Sequence, residues 1–389
     1  MLSRFGATEA SLCPIAIARW TLYLVTGQDE LATIFTHHVR VLEKGPGMDG
    51  DNPLIGRGLL LSETPWWETS RREVKGALAP RQVKLQRATM EDTIDKVLDG
   101  WPAGDLDLFP KLVWLTAAVV VSSLFEVSLE SETFAAMIDA SRKLMEFFYR
   151  RTRSFIRPAY WAPWPLNRQF HEAAHILNDT ADQLYAQKDI AASEFLQSLQ
   201  HLSVGDRRAQ IITFLIAGHE TTANALAWTL DQLARNPEAQ RMARQDATWL
   251  DASIDEALRL YPPIWLMSRK TLVPMHFGSQ ELPAGSFILM SPWVSHRLKQ
   301  NFADPEIFSP QRWIDQPAPK PYTYFPFGAG QRSCIGESFA RQEIRLTVQR
   351  VLSRWNLVPL STIPTKPDPR MSLRPLGGIP VRLLTHSRD

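Results

Sequence analysis

From Trp66 to about Leu202 the apolar positions recur mostly at helical spacing. One proline-rich interruption, RPAYWAPWP (Arg157 to Pro165), cannot continue a helix. Ahead of this block stand two runs of β character, CPIAIAR (Cys13 to Arg19) and TLYLVTG (Thr21 to Gly27). A short helix-like stretch, QDELATIFTHH, and a Gly/Pro/Asp-rich loop from Lys44 to Gly58 come next. Behind the block, Asp206 to Asn236 reads as one long helix, with Asp206 as its cap and Asn236-Pro237 as its stop. Its first half, AQIITFLIAG, is apolar on every side, the pattern of a buried helix. DASIDEALRLYPP reads as a shorter helix stopped by Pro262 and Pro263. Strand-like pieces with turns (HFGSQELPAGSFILMSPWV) and a proline-rich meander (DPEIFSPQRW to PKPYTYFPFG) lead to a last helix, Gly336 to Trp355, and a final strand, GIPVRLLT. Internal repeats and low-complexity segments are absent. The pattern predicts a mainly α protein with a small β region, folded as one domain over residues 1–389.

Composition narrows the function. Hydrophobic residues make up 44% and charged residues 22%, with a formal net charge of +2, so the concentrated basic excess of a nucleic-acid binder is missing. The two cysteines, Cys13 and Cys334, lie too far apart in sequence for a disulfide framework and are too few for a thiolate-rich zinc site. The first residues lack the long apolar core of a secretory signal, and no uncharged stretch approaches the roughly 20 apolar residues of a membrane span. These features predict a cytoplasmic protein. Thirteen tryptophans and 18 phenylalanines serve a core first, and they also suit a large apolar pocket.

The chemistry concentrates in FGAGQRSCIGESFA, Phe327 to Ala340. Cys334 stands where a helix begins, so the unpaired N–H groups of Ile335 and Gly336 and the positive end of the helix dipole favour a thiolate there. Gly328, Gly330 and Gly336 permit a tight turn beside something large and flat. Arg332, two residues ahead of the cysteine, is placed to hold an anionic group of the same ligand. Haem meets all these requirements: it is flat, its iron takes an axial thiolate, and its propionates pair with arginines. The spacing Phe327-x-x-Gly330-x-Arg332-x-Cys334-x-Gly336 resembles the cysteine-ligand loop of the cytochrome P450 family.

Other segments follow in the order that resemblance requires. AGHETT, Ala217 to Thr222, is similar to the family's oxygen-activation motif within the long central helix. Buried Glu220, Thr221 and Thr222 are costly without partners or a task, and a mid-helix threonine can turn its hydroxyl onto a backbone carbonyl. Small residues at Ala217 and Gly218 would let the helix pass close over a flat cofactor. Glu256 and Arg259 share a helix face, and the resemblance pairs them with Arg312 as a structural support for the cysteine loop. Trp67 and Arg71, one turn apart, resemble a propionate-binding pair, for which Trp66 and Arg72 compete. Arg269 stands where the family often places a further propionate-binding arginine, and a solvated arginine on a strand fits it equally. The helix that usually precedes the first strands is not seen, and no reductase segment follows the last one.

The resemblance implies the cytochrome P450 fold, with a long central helix over the haem and the cysteine loop ahead of the last long helix. It implies a monooxygenase that uses haem b, with Cys334 on the iron, Glu220 and Thr221 in proton delivery, and Trp67, Arg71, Ala217, Arg269, Phe327, Arg332 and Gly336 around the cofactor. One oxygen atom of O2 would enter a lipophilic substrate such as a fatty acid or terpenoid. Electrons would come from an external ferredoxin or flavodoxin and its reductase, docked near Arg332, Arg341 and Arg345. A peroxide-driven relative or a haem-binding sensor or carrier would share the cysteine loop, and the Glu220-Thr221 pair argues for dioxygen chemistry. Phe147 to Pro165 mixes aromatics with arginines over the implied substrate entrance; it suits a peripheral membrane contact and a solvated basic loop alike.

Overall fold

The computed structural model describes residues 11–17, 20–36, 41–45, 52–154, 157–186, 193–277, 280–315 and 318–386. Ala18, Arg19, His37, His38, residues 46–51 of the Gly/Pro/Asp-rich loop, Phe155, Ile156, Gly278, Ser279, Gln316 and Pro317, which belong to segments singled out above, lie outside the described residues.

The chain opens with strands β1 (Leu12–Ile17) and β2 (Trp20–Val25), helix α1 (Gln28–Thr36) and the short β3 (Leu42–Lys44). The helical block runs through α2 (Trp66–Val74), α3 (Pro80–Asp99), strand β4 (Gly104–Asp107), α4 (Leu108–Val119), α5 (Ser131–Arg153), α6 (Pro165–Ala186) and α7 (Glu194–Ser198). The proline-rich interruption therefore separates α5 from α6, and α4 runs on into a π-helical turn at Val120–Leu124. Next come the long α8 (Val204–Arg235), α9 (Pro237–Gln245) and α10 (Ala247–Leu260). Strands β5 (Met267–Thr271), β6 (Met275–Phe277), β7 (Gln280–Leu282) and β8 (Phe287–Met290) lead to the short α11 (Pro292–Ser295) and α12 (Arg312–Asp315). The chain closes with α13 (Glu337–Arg354) and strands β9 (Trp355–Pro359), β10 (Lys366–Pro369), β11 (Leu373–Leu376) and β12 (Pro380–Thr385).

Local chemistry sets the ends of these helices. Pro80 starts α3 at its first position, where a missing N–H costs nothing, and Gly100 closes it. The central helix starts at Val204 and is capped by Ser203, whose Oγ accepts from the Asp206 N–H at 3.2 Å. Asp206, the expected cap, sits one turn further in, where its carboxylate complements the dipole and pairs with Arg57. Helix α10 likewise starts at Ala247 rather than Asp251, because the Asp246 side chain accepts from the Thr248 N–H at 2.7 Å.

Five strands form the principal sheet in the order β1-β2-β8-β5-β3, with β2 parallel to β8 and the other pairs antiparallel. A second sheet, β4-β12-β9, closes the C-terminal region, and β10-β11 is a separate two-stranded ribbon. Helix α8 is buried almost all round from Ala209 to Ala234 and anchors the large helical core. Only Ala217, Gly218 and Thr221 in that run are half-buried. Ala217 and Thr221 are four apart and share a face.

Candidate active site around Cys334

The cysteine loop is held from three sides. The Cys334 N–H donates to the Phe327 carbonyl at 2.8 Å and closes the loop on itself. Gly330 adopts φ +69°, and a side chain there would stand 1.9 Å from the carbonyl oxygen of Phe35, so this glycine is required by the close approach of α1. Arg341, early in α13, lies 4.9 Å over the Phe327 ring and pairs with Asp255 at 2.8 Å and Glu337 at 2.9 Å. The Cys334 side chain remains exposed although protein surrounds it densely enough for burial to push its thiol pKa up. A hydrogen bond from the Gly336 backbone and the charge of Arg71 pull the other way, while Glu337 adds to the rise. Gly336, the residue ahead of α13, has its nearest heavy atom, the Cys334 Sγ, 4.0 Å from where a Cβ would stand.

Beside the sulfur is a knot of cations. Arg332 lies 4.5 Å over the Trp67 ring, donates to the Ser62 carbonyl at 3.3 Å and pairs with Glu63. Arg71 lies 5.6 Å from the same indole. Trp66 turns away and donates its Nε1–H to the Arg57 carbonyl at 2.7 Å, and Arg72 is exposed, so the geometry separates the tandem residues. Lys44, which the sequence does not flag, donates its backbone N–H to Glu63 at 2.7 Å and its Nζ to the Ser62 carbonyl at 2.6 Å. Arg269 on β5 is directly opposite Lys44 on β3. Burial and then the charge of Arg332 lower the pKa of Lys44 to about 7 and that of Arg269 to about 10, with Glu63 opposing both. Burial also lowers Arg71 and Arg332.

Three of these cations, Lys44, Arg269 and Arg332, thus share Glu63 as their principal anion, with Glu68 a lesser contributor at Arg332, while Arg71 answers to Cys334. The buried Arg332 Nε has no hydrogen-bond partner among the described residues. Such an excess of positive charge beside an exposed thiol fits a planar cofactor that carries carboxylates and takes a sulfur ligand.

On α8 both threonines turn back onto the helix: Thr221 Oγ1 donates to the Ala217 carbonyl at 2.7 Å and Thr222 Oγ1 to the Gly218 carbonyl at 2.8 Å. The space beside Gly218 is taken by Val120, 3.0 Å from where a Cβ would stand, so its lack of a side chain serves packing against the π-helical turn there. Glu220 is committed to the β10-β11 ribbon. Its Oε1 accepts from Ser372 Oγ and from Arg374 Nε and Nη2, at 3.0 and 2.7 Å for the arginine.

The support expected behind the loop is formed. Arg259 makes a two-pronged pair with Glu256, both contacts at 2.8 Å, and Arg312 reaches the same carboxylate at 3.1 Å. The Ser309 N–H and Trp313 Nε1–H complete the set at 2.9 and 2.8 Å. The basic set expected to receive an electron donor is compensated internally: Arg345 pairs with Asp251 at 2.8 Å, Arg341 with Asp255 and Glu337, and Arg332 with Glu63. Among the described residues no helix is long and apolar enough to cross a membrane.

The cytochrome P450 family profile matches residues 32–380. The chain belongs to the cytochrome P450 family. The P450 is 29% identical over 371 residues to cyclooctatin synthase of Streptomyces melanosporofaciens, covering 86% of this chain and 81% of the relative. It is 28% identical to cyclooctat-9-en-7-ol 5-monooxygenase of the same organism, covering 82% and 77%. The structure of a 6-coordinated cytochrome P450 from Thermus thermophilus superposes with a TM-score of 0.83 at 26% identity, covering 98% of this chain and 97% of that one. The fold is therefore the cytochrome P450 fold, and the protein is a P450 monooxygenase, a family whose cofactor is a thiolate-ligated haem. Lys44, Glu63, Ser372 and Arg374 join the site only through the fold; none stands in a recognisable motif.

Proposed function

We propose that this P450, folded as one domain, inserts one oxygen atom of O2 into a lipophilic terpenoid-like or fatty-acid substrate with haem b as its cofactor. The observation that carries this reading is the knot of Lys44, Arg71, Arg269 and Arg332 beside the exposed Cys334 thiol. Cys334 would hold the iron, and the four cations would hold the carboxylates. When bound, the haem supplies the oxygen chemistry. The chain's part is positioning and proton control. Thr221 spends its hydroxyl hydrogen on the Ala217 carbonyl, so its oxygen accepts a hydrogen bond from an incoming water or substrate hydroxyl. The bonds from Ser372 and Arg374 all fall on Glu220 Oε1, which leaves Oε2 as an acceptor for a water or substrate hydroxyl.

Support for an apolar substrate comes from the relatives, whose names refer to cyclooctatin and to cyclooctat-9-en-7-ol, by name an alkene bearing one hydroxyl. The electron donor is an external acidic ferredoxin or flavodoxin. Arg72, Lys75, Arg81 and Lys84 suit it better than Arg341 and Arg345. They are exposed along the end of α2 and the start of α3, and among the described residues no carboxylate pairs with them.

The test is titration of the haem-loaded protein with fatty acids and terpenoid alcohols, followed by turnover with a ferredoxin, its reductase and O2. A displaced Soret band and an oxygenated product are expected from at least one class. Displacement without any product would leave a haem-binding carrier as the better account.

A further inference from the structure

His296 is fully buried at the end of α11 and takes no part in the reactions above. Its ring bridges two backbone groups. Nε2 accepts the N–H of Phe325 at 2.9 Å, and Nδ1 lies 3.1 Å from the carbonyl oxygen of Arg259. A backbone N–H can only donate and a carbonyl can only accept. These partners leave one arrangement: a neutral imidazole, proton on Nδ1, donating to Arg259. Burial, reinforced by the charges of Arg259 and Arg297 and opposed by the bond to the Arg259 carbonyl, keeps the ring neutral, with its pKa lowered to about 3. Tyr324 and Phe325 pack against the ring at 5.1 and 5.3 Å between centroids.

Both ends of this bridge matter. On one side the Arg259 guanidinium returns a bond to the His296 carbonyl at 2.9 Å while it grips Glu256. Residue 296 is thus tied twice to the centre of the Glu256–Arg259–Arg312 cluster. On the other side Phe325 opens the cysteine loop. Its carbonyl accepts the Gly328 N–H at 3.0 Å, and the Phe327 carbonyl accepts the Cys334 N–H at 2.8 Å.

We propose that His296 is a positioning residue: as a neutral donor–acceptor spacer it sets the height of segment 325–334 over the ion-pair cluster, and with it the seat of the Cys334 sulfur. The last step rests on the reading of Cys334 as the iron ligand; the loop-holding step does not.

Two variants of the haem-loaded protein separate the bridge from mere ring packing. H296F keeps an aromatic ring of similar size but removes both bonds and strands the Arg259 carbonyl and the Phe325 N–H. H296Q can again donate to one and accept from the other. Amide hydrogen exchange across 325–334 should rise about tenfold or more in H296F, the scale expected when a buried partner is left unsatisfied, and return most of the way in H296Q. In the reduced carbon-monoxide complex, H296F should lose part of the red-shifted thiolate band to a shorter-wavelength form, and H296Q should regain it. Unchanged exchange in H296F, or loosening in H296Q as large as in H296F, overturns the proposal. If H296F does not accumulate, H296Q decides: parent-like exchange upholds the bridge, and a tenfold rise rejects it. A parent protein without the thiolate band would defeat the reading of Cys334, while the exchange measurement would still judge the bridge.

Discussion

Lys44 on β3 and Arg269 on β5 are directly opposite each other in an antiparallel pair, two half-buried cations at adjacent positions of one sheet. Like charges so placed are destabilising unless an anion lies between or beside them, and Glu63 answers only part of the charge. On the reading proposed above, this sheet edge beside the cysteine loop would receive the carboxylates of the cofactor.

The first prediction follows from the sign of the Lys44 shift. Its folded pKa, about 7, lies below the ordinary 10.5, so between these values the unfolded chain binds more protons and stability rises with pH. Haem-free protein should gain thermal stability between pH 7 and about 9.5 relative to K44M, and the difference should shrink when haem is loaded. Parallel melting curves for the two haem-free proteins across that range would refute the assignment.

Cys334→Ser should abolish the red-shifted band of the reduced carbon-monoxide complex. Because the loop is closed by the Cys334 backbone N–H and by Gly330 against α1, the variant should still fold. A retained thiolate band in C334S would place the ligand elsewhere; circular dichroism at parental strength checks the fold.

Removing the Arg259 fork tests the support. Burial pushes the Glu256 carboxyl up, but the bonds and charge of Arg259, the Ser309 N–H and Arg312 outweigh it and hold the group below its ordinary 4.5. R259Q should cost on the order of 3–5 kcal/mol at neutral pH and show poor haem incorporation. A depressed carboxylate stabilises the fold above its unfolded pKa and loses that contribution as pH falls through the folded one. The deficit in Tm should therefore be full at pH 6 and narrow below about pH 4. Full haem content with slow turnover alone would contradict a structural role.

Thr221→Ala should leave haem and substrate binding near parental levels and lower the product formed per electron, with peroxide taking up the difference. Help of this kind is typically worth about 10²–10⁴-fold in the step it serves. Since Glu220 is held by Ser372 and Arg374, R374Q should alter the same ratio and its solvent isotope effect. Unchanged coupling in T221A would make the AGHETT segment a packing feature.

The parts legible in the sequence were those that one helix or one loop can encode. The all-round apolar run of α8 follows from the absence of any polar stripe. The Glu256–Arg259 pairing follows from a spacing of three on a helix, and the cysteine at a helix start from glycines and an arginine within ten residues. Helix starts were less legible, because at Ser203 and Asp246 the capping side chain lies one or more residues ahead of the acid that the pattern suggests. Tertiary structure alone decided where the long-range partners fall. Lys44 meets Arg269 through strand register, Glu220 finds Arg374 across the β10-β11 ribbon, and Arg341 and Arg345 spend their charge on Asp255 and Asp251 of α10. His296 acquires its tautomer only when Arg259 and Phe325 close on it from either side. Periodicity and capping are set by neighbours a turn away, whereas these pairings depend on how distant elements pack, and no local pattern records that.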